Sequence, residues 1–582
     1  MQKLGGCITR LIIKILSILV GLMLSQNIFA AIPSQPVKTS LPGSVQPGRI
    51  TQELSTQIPQ PSAGLQPIAP PESSSAGALG PDAERITFKL TQVVLEGNTV
   101  YSSHELSKLY ADKLNTKISI AELQKVVESI TNYYRNNGYI LSRAILPPQR
   151  VDKGRVRIQI IEGYIEKVTV VGNVKGSKKL LLAFGQQIAN SRPLQIKVME
   201  HYLRLANDIP GVQVKAVLEP SKKSLGASDM SLTVEEETFG GYVSYDNYGT
   251  RYLGPQQDTV SGNMNSMVIS GDTTQLTYVQ TTRPQQLQYM DFSYNLPIDD
   301  KGTRFIVDAN SSNTQPGLNL ASLKMVGDAD TYYAKVRYPI IRARDQNLTL
   351  EGSFNYVDSY VTTFSLPLYT DHLRTVVFGA NYDFSDRFYG SNFISLLVEQ
   401  GLNILGASHS DTSLTTSRYG GHGDFLKFTP MLTRSQALMG RYSLFGLVTG
   451  QLSFNPLLSS EQFGFGGNQL GRAYDPAEII GDRGFAGSVE FRSNIYPEWR
   501  ILAAAQLYLF YDAGVIWNMK NVQGIKQKQS ATSTGFGARL TFGPHITGNF
   551  IYAQPLTKSI ASLTLVGQGR MPRMLFNITA SF

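Results

Sequence analysis

The sequence predicts two small α+β modules followed by a 16-stranded antiparallel transmembrane β-barrel. Three observations carry that prediction: a strand, helix, helix, strand, strand order that occurs twice between residues 86 and 236, the loss of helical patterning from residue 237, and period-2 alternation from there to Phe582.

At 582 residues the chain is long enough for three or more units. Its 42% hydrophobic, 10% aromatic and 17% charged residues exclude a disordered chain. Cys7 is the only cysteine, which excludes a disulfide scaffold and any multi-cysteine metal site.

Residues 1–30 read as a secretory signal peptide. Lys3, Arg10 and Lys14 precede and punctuate an apolar run, Ile15 to Leu24, and a small-residue boundary follows at Ala30 and Ala31. The run is shorter than the ~20 residues of a spanning helix, which makes a retained anchor the weaker alternative. Ile28 stands where the cleavage site favours a small residue. Cys7 precedes the apolar run, so it cannot be a lipoprotein cysteine. Cleavage would lower the +9 net charge by three and leave an exported chain without cysteine. No later stretch offers 18 consecutive apolar residues, a pattern that excludes a transmembrane helix but not a barrel.

Residues 31–85 hold ten of the 28 prolines and read as a linker, because proline lacks a donor and blocks regular pairing. Within them Arg49 to Gln57 is free of proline and long enough for two helical turns. Residues 86–163 form the first module. A strand, Phe88 to Leu95, ends at Gly97-Asn98. Helices follow at Ser102 to Leu109 and Ile120 to Asn136, the second burying Leu123, Val126, Val127, Ile130 and Tyr134. Strands at Ile140 to Leu146 and Arg155 to Glu162 complete it. Residues 164–236 repeat the order: a strand ending at Gly172-Asn173, helices near Lys178 to Phe184 and Lys197 to Asn207, and strands at Val212 to Glu219 and Met230 to Glu236.

From 237 to 582 the alternation is plain. Met290, Phe292, Tyr294 and Leu296 share one face against Asp291, Ser293 and Asn295. At the end Met574, Phe576, Ile578, Ala580 and Phe582 oppose Leu575, Asn577, Thr579 and Ser581. A soluble sandwich also alternates. Segments near ten residues long, aromatics at their ends and a polar second face favour a membrane barrel. At roughly 20–22 residues per strand with its connection, residues 237–582 accommodate about 16 strands.

Local motifs make the pattern specific. Gly138 to Gln149, followed by Gly154 and Glu162-Gly163, resembles the first polypeptide-transport-associated (POTRA) domain of two-partner secretion transporters, the haemolysin secretion/activation family. Asn207 to Val212 resembles the second. Phe465-Gly466-Gly467, Gly471-Arg472-Ala473-Tyr474 and Gly481-Asp482-Arg483-Gly484 resemble that family's long-loop motifs in order and spacing. The resemblance spans nearly the whole mature chain.

It implies periplasmic POTRA domains that capture the unfolded secretion domain of one large exported partner, a haemolysin, adhesin or contact-dependent toxin, and pass it through an outer-membrane barrel without nucleotide. It implies that Arg472 sits on a hairpin folded into the lumen and is held by an acidic residue in the wall motif Phe510-Tyr511-Asp512. Alternation puts Phe510 and Asp512 on one face, as a lumenal Asp512 requires. Two unpaired lumen charges are the other reading. Ala473 stands where the family has glycine, which questions the tip geometry because alanine resists positive φ. Asp482 either braces the same loop or makes a turn. Glu490 and Arg492 alternate with Val489 and Phe491, which turns them to the lumen. The family's plug helix has one candidate, Arg49 to Gln57, with a loose periplasmic arm as the alternative. Terminal Phe582 resembles the signal read by barrel-assembly machinery.

No enzyme signature is present: the six histidines form no HExxH pair, and there is neither a GxSxG elbow nor a Walker A loop. No cofactor or metal is expected, and Gly421-His422-Gly423-Asp424 reads as an extracellular loop. The charge is spread along the chain, which gives nucleic-acid binding little support. A barrel-assembly factor, which usually has more POTRA repeats, and a passive porin are the alternative functions.

Overall fold

The structure, a computed structural model, describes residues 41–55, 81–409, 415–498, 501–519, 527–564 and 569–582. The expected signal peptide, residues 1–30, lies outside the described residues, as do 31–40 and 56–80 of the proline-rich stretch.

Two glycines show the repeat most directly. Gly97 and Gly172 end the first strand of each module at φ +89° and +101°, and a Cβ on either would lie 2.3 or 2.4 Å from the carbonyl oxygen of Ile160 or Val234. Only glycine permits both the backbone angle and the approach to the third strand. In each module that third strand is central. Arg155–Ile161 lies parallel to Gln92–Glu96 and antiparallel to Arg143–Ile145, and Ala227–Glu236 lies likewise between Tyr164–Asn173 and Val212–Pro220. Each third strand leads into a carboxylate that closes the loop after the glycine. Glu162 accepts from the main-chain N–H groups of Thr99 (2.7 Å) and Val100 (2.9 Å) and the Tyr134 hydroxyl (2.8 Å). Glu236 accepts from the N–H groups of Lys175 (2.5 Å) and Ser177 (3.0 Å) and the Ser177 hydroxyl (3.0 Å).

Helix Ile120–Asn136 starts at a capping box in which the Ser119 hydroxyl and Glu122 side chain bond each other's main chain. It buries the five apolar residues that its spacing singles out. The expected strand Phe88 to Leu95 is split: Thr87–Lys89 pairs with Lys117–Ser119, and Gln92–Glu96 joins the main sheet. The break falls at Leu90, which turns into the core, and at Thr91, whose N–H donates to the Gly154 carbonyl at 2.9 Å. The second module packs Lys178–Ala189 and Ile196–Asn207 over Met230, Leu232 and Val234.

Sixteen strands, from Phe239–Asp246 to Arg573–Ser581, close into one antiparallel barrel. At the seam the last strand pairs with the first from Asn577↔Asp246 to Ser581↔Tyr242, and Phe582 exchanges two main-chain bonds with Gly241, of 3.1 and 3.0 Å. Side chains alternate as the sequence requires: Leu509 is 60% and Tyr511 49% exposed on the outer face, while Phe510 and Asp512 are buried within. The hairpin of Gln346–Thr363 and Leu366–Ser385 is longer than the ten or so residues a crossing needs. The second module sits against alternate turns of one rim. Ser270 accepts from the Leu180 N–H at 3.2 Å, Gln187 donates to Asp300 at 2.6 Å, and Arg342 pairs with Asp208. That rim is the periplasmic one, so the connection carrying residues 454–482 lies at the opposite, extracellular end.

Candidate functional site

The chain between strands Tyr442–Ser453 and Arg483–Ile495 folds back into the barrel as a hairpin. Phe463–Phe465 pairs with Ile479–Gly481, placing Phe463 opposite Gly481. Gly466 and Gly467 begin the tip at φ +127° and +120°, and Gly471 adopts +72°. Ala473 is not among the positive-φ residues and is fully buried, so the left-handed position falls on Gly471 and alanine meets no conflict. Two wall glycines let the hairpin lie close. A Cβ on Gly484 would stand 2.0 Å from the Phe463 ring, and one on Gly514 would stand 2.3 Å from that of Phe465.

Arg472 and Asp512 meet. The guanidinium donates through Nε (3.2 Å) and Nη2 (3.0 Å) to the two carboxylate oxygens of Asp512, and the Arg472 main-chain N–H adds a third bond at 3.1 Å. Nη1 reaches Glu490 at 2.6 Å and Nη2 the Ser488 hydroxyl at 2.6 Å. The guanidinium carbon lies 3.8 Å from the Phe510 ring centroid. Such a bidentate, stacked contact suits the planar fork of arginine and no other side chain. Glu490 also takes Arg492 (2.7 Å) and Arg539 (3.1 Å), so three cations face two carboxylates within the wall.

The rest of the tip is anchored across the seam. The Tyr474 hydroxyl donates to the Thr532 carbonyl at 2.9 Å, and Arg573 donates to the Tyr474 carbonyl at 2.7 Å. Asp475 takes Arg251 at 2.7 Å and the Ser562 hydroxyl at 2.6 Å. Asp482 has no contact with Arg472. It receives both terminal nitrogens of Arg418 and the main-chain N–H groups of Leu457 and Met519, each at 2.8 Å, and so ties together three extracellular connections. His422 and Asp424 lie 3.4 Å apart in one of these connections.

The proline-free window forms helix Pro47–Ser55, beginning two residues before Arg49 because proline is favoured in the first turn. Thr56 and Gln57 lie outside the described residues. The helix stands inside the barrel against strands Arg304–Thr314, Val326–Arg342 and Gln346–Thr363. Buried Arg49 donates to the carbonyls of Ser459 (3.2 Å) and Gln462. Gln52 donates to Glu461 at 3.2 Å, and Lys427 holds the other oxygen of that carboxylate at 2.5 Å. Ile50 packs with Leu253 and Leu287. Among the described residues no group of three or more His, Cys, Asp or Glu forms a metal-holding set.

Sequence reasoning located Arg472, Asp512, Phe510 and the lumenal orientation of Glu490 and Arg492. It missed Asp475, Arg418, Glu461 and Lys427, whose partners are distant in sequence and belong to no periodic pattern.

Residues 88–163 match the ShlB-type POTRA domain, and residues 226–540 match the haemolysin secretion/activation protein family ShlB/FhaC/HecB. The heme/hemopexin transporter protein HuxB of Haemophilus influenzae is 25% identical over 486 residues, covering 82% of this chain and 85% of HuxB. The outer membrane transporter CdiB of Dickeya dadantii is 24% identical over 450 residues, covering 74% and 77%. The solved structure of CdiB from Escherichia coli has the same fold, with a TM-score of 0.69 over 88% of this chain and 92% of that one at 18% identity. With the family matched over more than half its length, this chain belongs to the ShlB/FhaC/HecB haemolysin secretion/activation family, outer-membrane transporters that export a partner exoprotein by two-partner secretion.

Proposed function

We propose that both α+β modules are POTRA domains, that they take up the unfolded N-terminal secretion domain of a large exoprotein (haemolysin, adhesin or contact-dependent toxin) in the periplasm, and that the barrel lumen conducts it outward. The observation that carries this is a periplasmic module with an open strand edge at the mouth of a barrel whose lumen holds helix Pro47–Ser55 and the hairpin of Phe463–Phe465 and Ile479–Gly481. The edge is Val212–Pro220, whose other side pairs with Ala227–Glu236. Asn207 occupies both main-chain groups of Val214, at 2.9 and 3.2 Å. By parity Ala216 and Leu218 turn theirs the same way, where an extended chain can add as a further strand with little demand on its sequence. An unguarded edge of this kind is otherwise an aggregation hazard.

In this reading helix Pro47–Ser55 is a plug, tethered by the proline-rich stretch, and the Arg472–Asp512 contact locks the hairpin until the partner arrives. Phe582, 75% exposed on the lipid-facing side of the closing strand, is the mark that barrel-assembly machinery reads. The sequence has neither a GxSxG elbow nor a Walker A loop, and in this reading transport runs without nucleotide. The mature chain lacks cysteine, so a single Lys215→Cys replacement gives a unique crosslinking position on the edge. A stalled partner bearing cysteine in its secretion domain is expected to form a disulfide-linked adduct with it. Equal adduct yield from a control cysteine at Lys125, on the first module, overturns edge capture.

A further inference from the structure

We propose that the second module is docked on the periplasmic leaflet of the outer membrane, with Met267, Val268 and Ile269 seated among acyl chains and Lys175, Lys178 and Lys179 on anionic phospholipid headgroups. The three apolar residues belong to the turn Ser266 to Asp272, which joins strands Gln257–Asn265 and Thr273–Thr281 at the rim that carries the module. This turn folds over the outside of the barrel. Leu276 and Tyr278 face outward from the second of those strands, and Asp272 continues their parity. The Asp272 carboxylate accepts from the Tyr294 hydroxyl at 2.8 Å, and Tyr294 shares the outer face of Leu287–Pro297 with Met290 and Phe292.

The same buried carboxylate takes the main-chain N–H groups of Met267 (2.9 Å), Val268 (3.2 Å) and Ile269 (2.9 Å). The Ser266 N–H goes to the Asp272 carbonyl at 2.8 Å and the Gly271 N–H to the Ser266 hydroxyl at 3.3 Å. A turn in water has no need of this, because water satisfies its donors. A turn against lipid must satisfy them itself. Here the donors close inward while the Met267, Val268 and Ile269 side chains stay 55, 53 and 44% exposed. They lie just past Met264 and its ladder partner Phe239, both exposed on the outer face, so the lipid-facing band of the strands runs on into the turn. That continuity identifies the occupant as lipid. Tyr389, Met439 and Tyr496, on other turns of the same rim, are exposed too, as side chains at a membrane interface are.

The second module meets this turn at both ends. A Cβ on Gly176 would lie 2.0 Å from the Ser266 carbonyl oxygen, and the Leu180 N–H donates to the Ser270 hydroxyl at 3.2 Å. Lys175, Lys178 and Lys179 flank those two contacts, are exposed, and form no ion pair among the described residues. Glu236 and Asp272, which adjoin the contacts, are buried and already hold N–H and hydroxyl donors. Unpaired lysines beside an apolar wedge match a surface that sets anionic headgroups over acyl chains. Lipid contact of this kind would hold the module in one orientation at the lumen mouth.

The test uses the full mature chain in lipid nanodiscs, with one fluorophore on Val268→Cys or, as the control, on Leu225→Cys. Leu225 is exposed in the turn between Val212–Pro220 and Ala227–Glu236, at the end of the module's sheet away from the barrel. Phospholipid brominated on its acyl chains is expected to quench the Val268 probe at least threefold more than the Leu225 probe. Equal quenching overturns the proposal, whether the turn stands in water or is covered by a second copy or another protein. Met267→Cys repeats the measurement should Val268→Cys fail to assemble. The lysines are read from the anisotropy of the Leu225 probe, which should rise when anionic phospholipid is added to zwitterionic discs. The triple variant Lys175→Glu, Lys178→Glu, Lys179→Glu should lose at least half of that rise. Anisotropy that ignores anionic lipid, or a rise that survives intact in the triple variant, overturns headgroup docking.

Discussion

Replacing Arg472 by alanine removes one side chain from a buried cluster, and the consequence can be followed atom by atom. Glu490 keeps two cations, Arg492 at 2.7 Å and Arg539 at 3.1 Å. Asp512 does not. It is left with the main-chain N–H of residue 472 at 3.1 Å and the Ser533 hydroxyl at 3.2 Å, in a fully buried position. The penalty is thus an uncompensated carboxylate, about 3–5 kcal/mol for one partner removed from a buried pair. At about 1.4 kcal/mol per decade the docked-to-undocked ratio of the hairpin falls by a factor on the order of 10²–10³. Planar-bilayer conductance and partner export read this out. Arg472→Ala is expected to conduct more than the parent and to export at least tenfold less partner at equal barrel level. Arg472→Lys keeps the charge without the planar fork and should fall between the two. Asp512→Ala should resemble Arg472→Ala, and the double variant should lose less than the sum because the residues are coupled. If Arg472→Ala and Asp512→Ala both conduct and export as the parent does, the lock is wrong.

Arg418→Ala takes away the cation paired with buried Asp482 and leaves it the main-chain N–H groups of Leu457 and Met519 and the Gln462 amide at 3.4 Å, so the connections around residues 402–425 and 454–462 should become sensitive to protease added to intact cells. The parent should resist the same treatment. Arg49→Ala removes the two bonds that fasten the plug to the carbonyls of Ser459 and Gln462. Conductance should rise several-fold while Arg472 stays docked, and no change would mean that the helix is held by packing. Glu236 links acid stability to the second module. Burial raises its pKa, but the N–H groups of Lys175 and Gly176 and the Ser177 hydroxyl lower it further, below the ordinary glutamate value. Its stabilisation is therefore present above the unfolded pKa of about 4.3 and is lost as pH falls through the folded value. Because helix signal comes mainly from the modules, urea unfolding followed at 222 nm should weaken from about pH 5 toward 3 in the parent and depend less on pH in Glu236→Gln.

Much of this architecture was legible because β-structure writes itself in period two. Phe510 and Asp512 share a face in any strand, so the lumenal position of Asp512 needed no coordinates. The Gly97 and Gly172 correspondence was visible too, although its reason, contact with the Ile160 and Val234 carbonyls, was not. What could not be read were pairings set by barrel closure. Asp475 meets Arg251 across 224 residues, and Arg418 meets Asp482 across 64. Neither pair has a local pattern, since both depend on which strands become neighbours after the sheet curls. Ala473 was misjudged from the motif alone, because the motif does not say which residue carries the positive φ. Here it is Gly471.

The central claim is export of a partner through this barrel, and a direct measurement is an immunoblot of culture medium and cell surface for a co-expressed exoprotein bearing a secretion domain. The account predicts partner outside the cell only when the intact chain is present. Partner exported equally after the chain is deleted, under conditions where the intact barrel is verified in the outer membrane, would contradict it.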